Sequence, residues 1–275
     1  MEQFNPKDLS TLYIPKPNSH KGDNGKLMVI GGSVLFHAAS LWALKIASRI
    51  VDMVFYSSVV SNNEIVQKQK EEFRDGIIVP RDKLSHYIDE ADAILIGPGL
   101  PRKEGVEEGD DDTKYLTESL IKKYGNKKWV IDGGSLQVIK PEILPKNSII
   151  TPHHKEFQTL FVVEPTLENA VEMAKKYEII ILLKGETDFI TDGEKTVEVK
   201  GGNAGMTKGG TGDVLAGLVA SLFCKNEAFL SASAASYINK KAGDSLFEKV
   251  GFYFNSSELV DEIPVIMKNL ILKEE

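Results

Sequence analysis

The chain of 275 residues has one cysteine, Cys224. A single thiol closes no internal disulfide, and no Cys cluster is there to hold a metal. It sits in an apolar stretch and reads as buried filler. There is no run of 18 apolar residues, and the polar N-terminal segment has no apolar core of the kind a secretory signal needs. The expectation is a cytoplasmic protein, neither secreted nor membrane-spanning. Basic charge is also scarce. Thirty-three Lys and Arg face 40 Asp and Glu, for a net charge of −7. That argues against duplex nucleic acid as a partner, because it needs a basic face, but a small anion can still find a locally positive site. Neither repeats nor Gly/Ser linkers divide the chain.

What is present fits a globular enzyme: 42% apolar and 27% charged residues, on a length that suits one α/β domain with a large core. Short β-rich runs alternate with helical patterns. KLMVIGG (26–32), DMVFYSS (52–58), ADAILIGPG (91–99), KWVIDGG (128–134), NSIITPH (147–153) and EIIILLKG (178–185) read as strands. HAASLWALKIASRI (37–50) has helical spacing. Near-continuous apolar runs suit parallel strands buried on both faces. In 188–200, Asp192-Gly193 separates two alternating runs, which predicts a hairpin and an antiparallel edge. After Asp213 the pattern is mainly helical. The acidic run 101–114 reads as a solvated loop.

Five of the strand-like runs end in small or polar residues: GGS (31–33), GPG (97–99), DGG (132–134), TPH (151–153) and KGET (184–187). Parallel α/β sheets bind ligands beyond the carboxyl ends of their strands, so these ends are expected to converge on one rim around a large site. A further glycine-rich turn, MTKGGTGD (206–213), precedes a helical stretch whose apolar stripe is Val214, Leu215, Leu218 and Leu222. It fits neither G-x-x-x-x-G-K-[ST] nor G-x-G-x-x-G. Gly209, Gly210 and Gly212 can still present backbone N–H groups to an anion at the positive end of a helix that begins near Asp213. Asp213 has two readings. It is an acid favoured in a helix's first turn and a good N-cap, or it is a base for a hydroxyl aimed at phosphorus, its pKa raised by the neighbouring phosphate.

GNAGMTKGGTGDVLAG (202–217) resembles the signature of the ADP/ATP-dependent NAD(P)H-hydrate dehydratases, in the ribokinase-like superfamily. SHKGDNGKLMVIGGS (19–33), ILIGPGL (94–100), TPHHKEF (151–157), LLKGETDFI (182–190) and AGDSLFEKVGFYFNSSELVDEIP (242–264) extend the resemblance in order over nearly the whole chain. It implies a three-layer α/β/α ribokinase-like fold with a mainly parallel sheet and an antiparallel hairpin at one edge. It also implies one domain over 1–275, without the epimerase domain that often precedes this one. The implied reaction returns (6S)-NAD(P)H hydrate to NAD(P)H. A phosphoryl group passes from ADP or ATP to the C6 hydroxyl, and phosphate then leaves. Mg²⁺ accompanies the nucleotide, and the assembly is a homo-oligomer, with a tetramer favoured.

The resemblance also carries roles. Asp213 is the base and contacts the hydrate. Gly209, Gly210, Thr211 and Gly212 form the anion hole, with Gly212 also touching the nucleotide. Lys184, Gly185, Glu186, Thr187 and Asp188 bind the AMP portion, and Ala39, Gly99 and His153 line the hydrate site. By residue type alone, His153 is equally a hydrogen-bonded loop histidine, Lys184 a strand-end lysine in solvent, and Asn203 a turn residue or a nucleotide contact. Glu156 is a helix-start acid or a group that orients water or Mg²⁺. The chain departs from the family pattern at Ala38, Pro101, His154, Lys155 and the DGGS beginning at Asp132. A small-molecule kinase of the same fold, acting on a vitamin precursor or sugar, would use the same turn and base, as the nearest alternative. A non-catalytic nucleotide sensor is a more distant one.

Overall fold

A computed structural model describes residues 2–69, 75–102 and 105–272. In chain order the elements are β1 (Glu2–Gln3), β2 (Lys26–Ile30), α1 (His37–Ala47), β3 (Met53–Ser57), α2 (Val60–Gln69), β4 (Ile77–Ile78), α3 (Leu84–Glu90), β5 (Ala93–Ile96), α4 (Thr113–Tyr124), β6 (Lys128–Ile131) and α5 (Gly133–Leu136). There follow β7 (Ile149–Ile150), α6 (His154–Phe161), α7 (Leu167–Tyr177), β8 (Ile180–Leu183), β9 (Asp188–Thr191), β10 (Thr196–Val199), α8 (Thr211–Phe223), α9 (Ala228–Val250) and α10 (Ser256–Ile271).

The strands form one sheet in the order β1-β10-β9-β8-β7-β6-β5-β2-β3-β4. Only the β8–β9 and β9–β10 pairs are antiparallel. The hairpin turns at Asp192, whose Oδ1 accepts from the backbone N–H groups of Glu194 (2.9 Å) and Lys195 (2.6 Å). β1 then pairs parallel to β10, so the hairpin is one strand in from the edge.

Side chains alternate across the sheet, and two cores result. Leu27, Val29, Leu95, Val130 and Leu182 pack towards α1, α8, α9 and α10. Met28, Ile30, Ile94, Ile96, Trp129, Ile131 and Leu183 pack on the other side, with residues of α3, α4, α6 and α7. This is the expected three-layer α/β/α arrangement, and apolar residues on both faces explain the near-continuous strand runs. Among the described residues no helix is long and apolar enough to cross a membrane.

Two details depart from expectation. Helix α8 is not amphipathic: every residue from Val214 to Phe223 is buried, because it is enclosed by α1, α9, α10 and the sheet. The acidic run 101–114 is tied down rather than merely solvated. Residues 103 and 104 lie outside the described residues; of the rest, Asp110 accepts from Val34 N at 2.8 Å, Asp111 pairs with Arg81 at 2.7 Å, and Asp112 caps α4 through Tyr115 N at 2.9 Å.

Candidate functional site

Parallel pairing of β2, β5, β6, β7 and β8 brings their carboxyl ends to one rim. The loops after β5, β6, β7 and β8 face the cavities there. The Gly31–Ser33 loop lies behind them, fully buried, with Gly32 N donating to Pro98 O at 2.8 Å. Close packing accounts for the glycines. A Cβ on Gly97 would stand 1.7 Å from the Asp132 carbonyl oxygen, so only glycine lets β5 end against β6.

Two cavities open on this rim. The larger, about 770 Å³, is lined by Ala39, Trp42, Gly99, Arg102, Asp132, His153, Glu156, Gly209, Gly210 and Asp213, among others. The smaller, about 510 Å³, is lined by Gly185, Glu186, Asp188, Asn203, Thr211, Asn239 and Lys240, among others. Lys184 and Gly212 belong to both walls. Of the site residues expected from the sequence, Thr187 alone lines neither. Of the departures, Ala38 lines the larger cavity, whereas His154 and Lys155 are exposed at the start of α6, and Pro101 is buried with its carbonyl accepting from Thr113 Oγ1 at 2.7 Å.

Helix α8 begins at Thr211, two residues before Asp213. Its N-cap is Gly210, at φ 99°, with no side-chain cap bond. Asp213 is therefore not the N-cap: it stands in the third helical position, in the first turn where an acid is favoured, and faces the larger cavity. Thr211 Oγ1 donates to Met206 O at 2.6 Å and Lys208 O at 3.0 Å, which closes the turn. Burial, then the Asp132 charge, push the Asp213 pKa up to about 7, with Glu156 adding to them and Lys184 and Arg102 opposing. No bound phosphate is needed for this shift; the fold itself supplies it.

Lys184 is not a solvent lysine. Its Nζ sits 2.9 Å from Asp132 Oδ1 and 3.9 Å from Glu156 Oε2, with the side chain 17% exposed. Burial disfavours its charge, but Asp132 and Glu156 outweigh that and hold its pKa above the usual lysine value. A Cβ on Gly212 would lie 3.5 Å from Lys184 Nζ, so the ammonium stands at the mouth of the glycine turn. Asp132 also accepts from Thr151 Oγ1 at 2.8 Å. It is one of the residues to which sequence reasoning gave no role, although it opens the DGG motif.

His153 and Glu156 form a capping box at the start of α6: Glu156 N donates to His153 Nδ1 at 3.2 Å, and His153 N donates to Glu156 Oε2 at 3.0 Å. Burial lowers the His153 pKa, against Glu156. In the neutral ring, Nδ1 as acceptor leaves the proton on Nε2. Glu156 stands in the first turn of α6, and its carboxylate accepts from His153 N and Gln137 Nε2 (3.3 Å) and lies 3.9 Å from Lys184 Nζ while lining the larger cavity. Among the described residues no group of three or more His, Cys, Asp or Glu is arranged to hold a metal. Asn203 turns its Oδ1 to Gly205 N at 2.9 Å and its Nδ2 to Gly243 O at 2.8 Å, so it shapes the 201–205 loop while lining the smaller cavity.

Residues 27–265 match the sequence model of the NAD(P)H-hydrate dehydratase family. The bifunctional NAD(P)H-hydrate repair enzyme Nnr of Methanocaldococcus jannaschii is 36% identical over 272 residues, covering 95% of this chain and 52% of that protein. The ADP-dependent (S)-NAD(P)H-hydrate dehydratase of Nitrosopumilus maritimus is 34% identical over 284 residues, covering 94% of this chain and 95% of that one. The chain thus spans about half the length of the bifunctional relatives and nearly all of the monofunctional one. Among solved structures, a ribokinase-like superfamily protein from Enterococcus faecalis superposes with a TM-score of 0.85 at 22% identity, over 99% of this chain and 97% of that one. An ADP/ATP-dependent NAD(P)H-hydrate dehydratase from Bacillus subtilis, co-crystallized with ATP and Mg²⁺, gives 0.80 at 22% identity over 98% of each chain. At such identities the superpositions speak for the fold, which is ribokinase-like. With the family model matched across most of its length and relatives above 30% identity along nearly all of it, this chain belongs to the NAD(P)H-hydrate dehydratase family.

Proposed function

We propose that this chain, as one unit over 1–275, is a nucleotide-dependent NAD(P)H-hydrate dehydratase, a lyase that repairs hydrated nicotinamide nucleotides. The observation that carries the reading is the meeting of two cavities at Lys184 and Gly212, with Asp213 facing the larger one. A reaction that joins a dinucleotide hydrate to a nucleotide phosphoryl group needs two such spaces sharing one anion turn.

In this reading the smaller cavity takes the adenine nucleotide, through Lys184–Asp188, Asn203 and Gly212. Its terminal phosphoryl group lies on the Gly209–Gly212 turn and the end of α8. The larger cavity takes the hydrate between Ala39, Gly99 and His153. Asp213 accepts the C6 hydroxyl proton as that oxygen bonds to phosphorus and the bond to the departing nucleotide breaks. A carboxylate with pKa about 7 is matched to that task at neutral pH. The ring nitrogen's lone pair then expels phosphate from C6, and loss of a C5 proton restores the dihydronicotinamide. Mg²⁺ on the nucleotide would shield the negative charge of the donor phosphates. The setting is cytoplasmic and the assembly a homo-oligomer.

The test is stoichiometric. Purified protein with hydrated NADH, ADP and Mg²⁺ is expected to give NADH, inorganic phosphate and AMP in equal amounts, with ADP replacing AMP when ATP is the donor. A stable phosphorylated product without NADH, or turnover of a sugar or vitamin alcohol and none of the hydrate, would identify a kinase of the same fold instead.

A further inference from the structure

Helix α9 sets Ser236, Asn239, Lys240 and Gly243 along one face at the spacing i, i+3, i+4, i+7. Three of the four are committed. Ser236 Oγ donates to Asp188 Oδ2 at 2.7 Å, and Lys240 Nζ donates to the carbonyls of Gly185 (3.2 Å) and Glu186 (2.9 Å). The Gly243 carbonyl accepts from Asn203 Nδ2 at 2.8 Å. Each of these bonds ties α9 to a loop that walls the smaller cavity.

Asn239 stands in the middle of this face and lines that cavity. It is 4% exposed, and its Oδ1 is buried without a partner. Among the described residues its Nδ2 has none either. Burying the amide oxygen unmet is costly, and native structures rarely do it without a reason. Its neighbours show the reason lies in the cavity, because every other polar group on this face already holds a wall in place.

The pattern the amide offers is one donor beside one acceptor. A phosphate presents acceptors only and would oppose Oδ1. The N7/N6 edge of adenine is the complement, an acceptor beside an amino donor, whereas guanine shows two acceptors on the same edge. Resting on the reading of the smaller cavity as the nucleotide site, we propose that Asn239 reads the adenine base: its Nδ2–H donates to N7, and its Oδ1 accepts from the N6 amino group. Ser236, Lys240 and Gly243 then act as the frame that keeps the base edge in register with this one side chain.

Calorimetric titration of ADP, GDP and 7-deaza-ADP tests this without hydrate or turnover. The unsubstituted protein should bind ADP roughly 5- to 150-fold more tightly than GDP, the range of one good bidentate base contact. Asn239→Leu and Asn239→Ala should collapse that ratio towards one through lost ADP affinity. 7-Deaza-ADP, which lacks the N7 acceptor, should bind the unsubstituted protein more weakly than ADP, a result independent of how any variant folds. Equal losses of ADP and GDP affinity would place the amide on the ribose and overturn the proposal. An unchanged ratio in the variants, or 7-deaza-ADP as tight as ADP, would do the same while leaving the nucleotide site standing. If the unsubstituted protein bound neither ADP nor GDP, this proposal and the nucleotide reading would fall together.

Discussion

Asp213→Asn separates what the carboxylate does for chemistry from what it costs the fold. The substitution keeps the shape of the side chain and removes the titration. In the proposed role of general base, Asp213 would contribute on the usual scale of about 10²-fold or more, so the rate should fall at least that far with nucleotide binding retained. Stability should move the other way. The folded pKa is raised, from an ordinary 3.8 to about 7, so the folded state binds a proton that the unfolded state releases between those values. Stability from this group is therefore lost as pH rises from about 4 to about 7. Each pH unit in that window is worth about 1.4 kcal/mol, giving a ceiling of about 4 kcal/mol above pH 7. The asparagine variant is spared this loss. Measured by urea denaturation, its advantage over the unsubstituted protein should grow by about 2 kcal/mol between pH 5.5 and pH 8. The other titrating groups are common to both proteins and largely cancel in the difference. An advantage that does not change with pH would refute the raised pKa, and near-normal turnover would refute the role as base. In the unsubstituted enzyme the same pKa should appear as an acid limb, activity rising with pH through about 7.

Two glycines of the turn should behave differently. A Cβ on Gly212 meets nothing closer than Lys184 Nζ at 3.5 Å, so Gly212→Ala should fold normally by thermal melting yet bind ADP more weakly; unchanged affinity would move the phosphate away from this turn. Gly210 has φ 99°, and a Cβ there would lie 2.2 Å from the Trp42 ring, so Gly210→Val should lower the melting temperature as well as abolish turnover. Asp132→Asn removes the charge that keeps Lys184 in place and helps raise the Asp213 pKa. The acid limb should move to lower pH, and breaking the buried pair should cost about 3–5 kcal/mol in denaturation experiments. An acid limb that stayed in place would mean the Asp132 charge is screened from Asp213.

The main strands, the hairpin turn and the glycine-rich turn before α8 were legible because each is written in adjacent residues. β1 and β4 were not, each being two residues long; β7 is as short but lies within the strand-like run 147–153. α8 looked amphipathic because its stripe of Val214, Leu215, Leu218 and Leu222 is real; burial of its other face by α1, α9 and α10 is a tertiary fact. The sequence separated Asp132 from Lys184 by 52 positions, and only the pairing of β6, β7 and β8 brings them to 2.9 Å. Asn239 gave no local sign at all. A buried amide on a helix becomes conspicuous only when its neighbours' bonds are known.

Lys184 and Gly212 being walls of both cavities has a practical consequence for ligands. Because only a shared wall separates the two spaces, one molecule reaching past Gly212 would fill both. Its second half would then bind at the effective concentration set by the tether rather than by the solution, so modest fragments for each side should combine into a tight bisubstrate inhibitor. The absence of a side chain at Gly212 leaves room for that bridge, and the Lys184 ammonium stands beside it as a ready partner for an anionic linker.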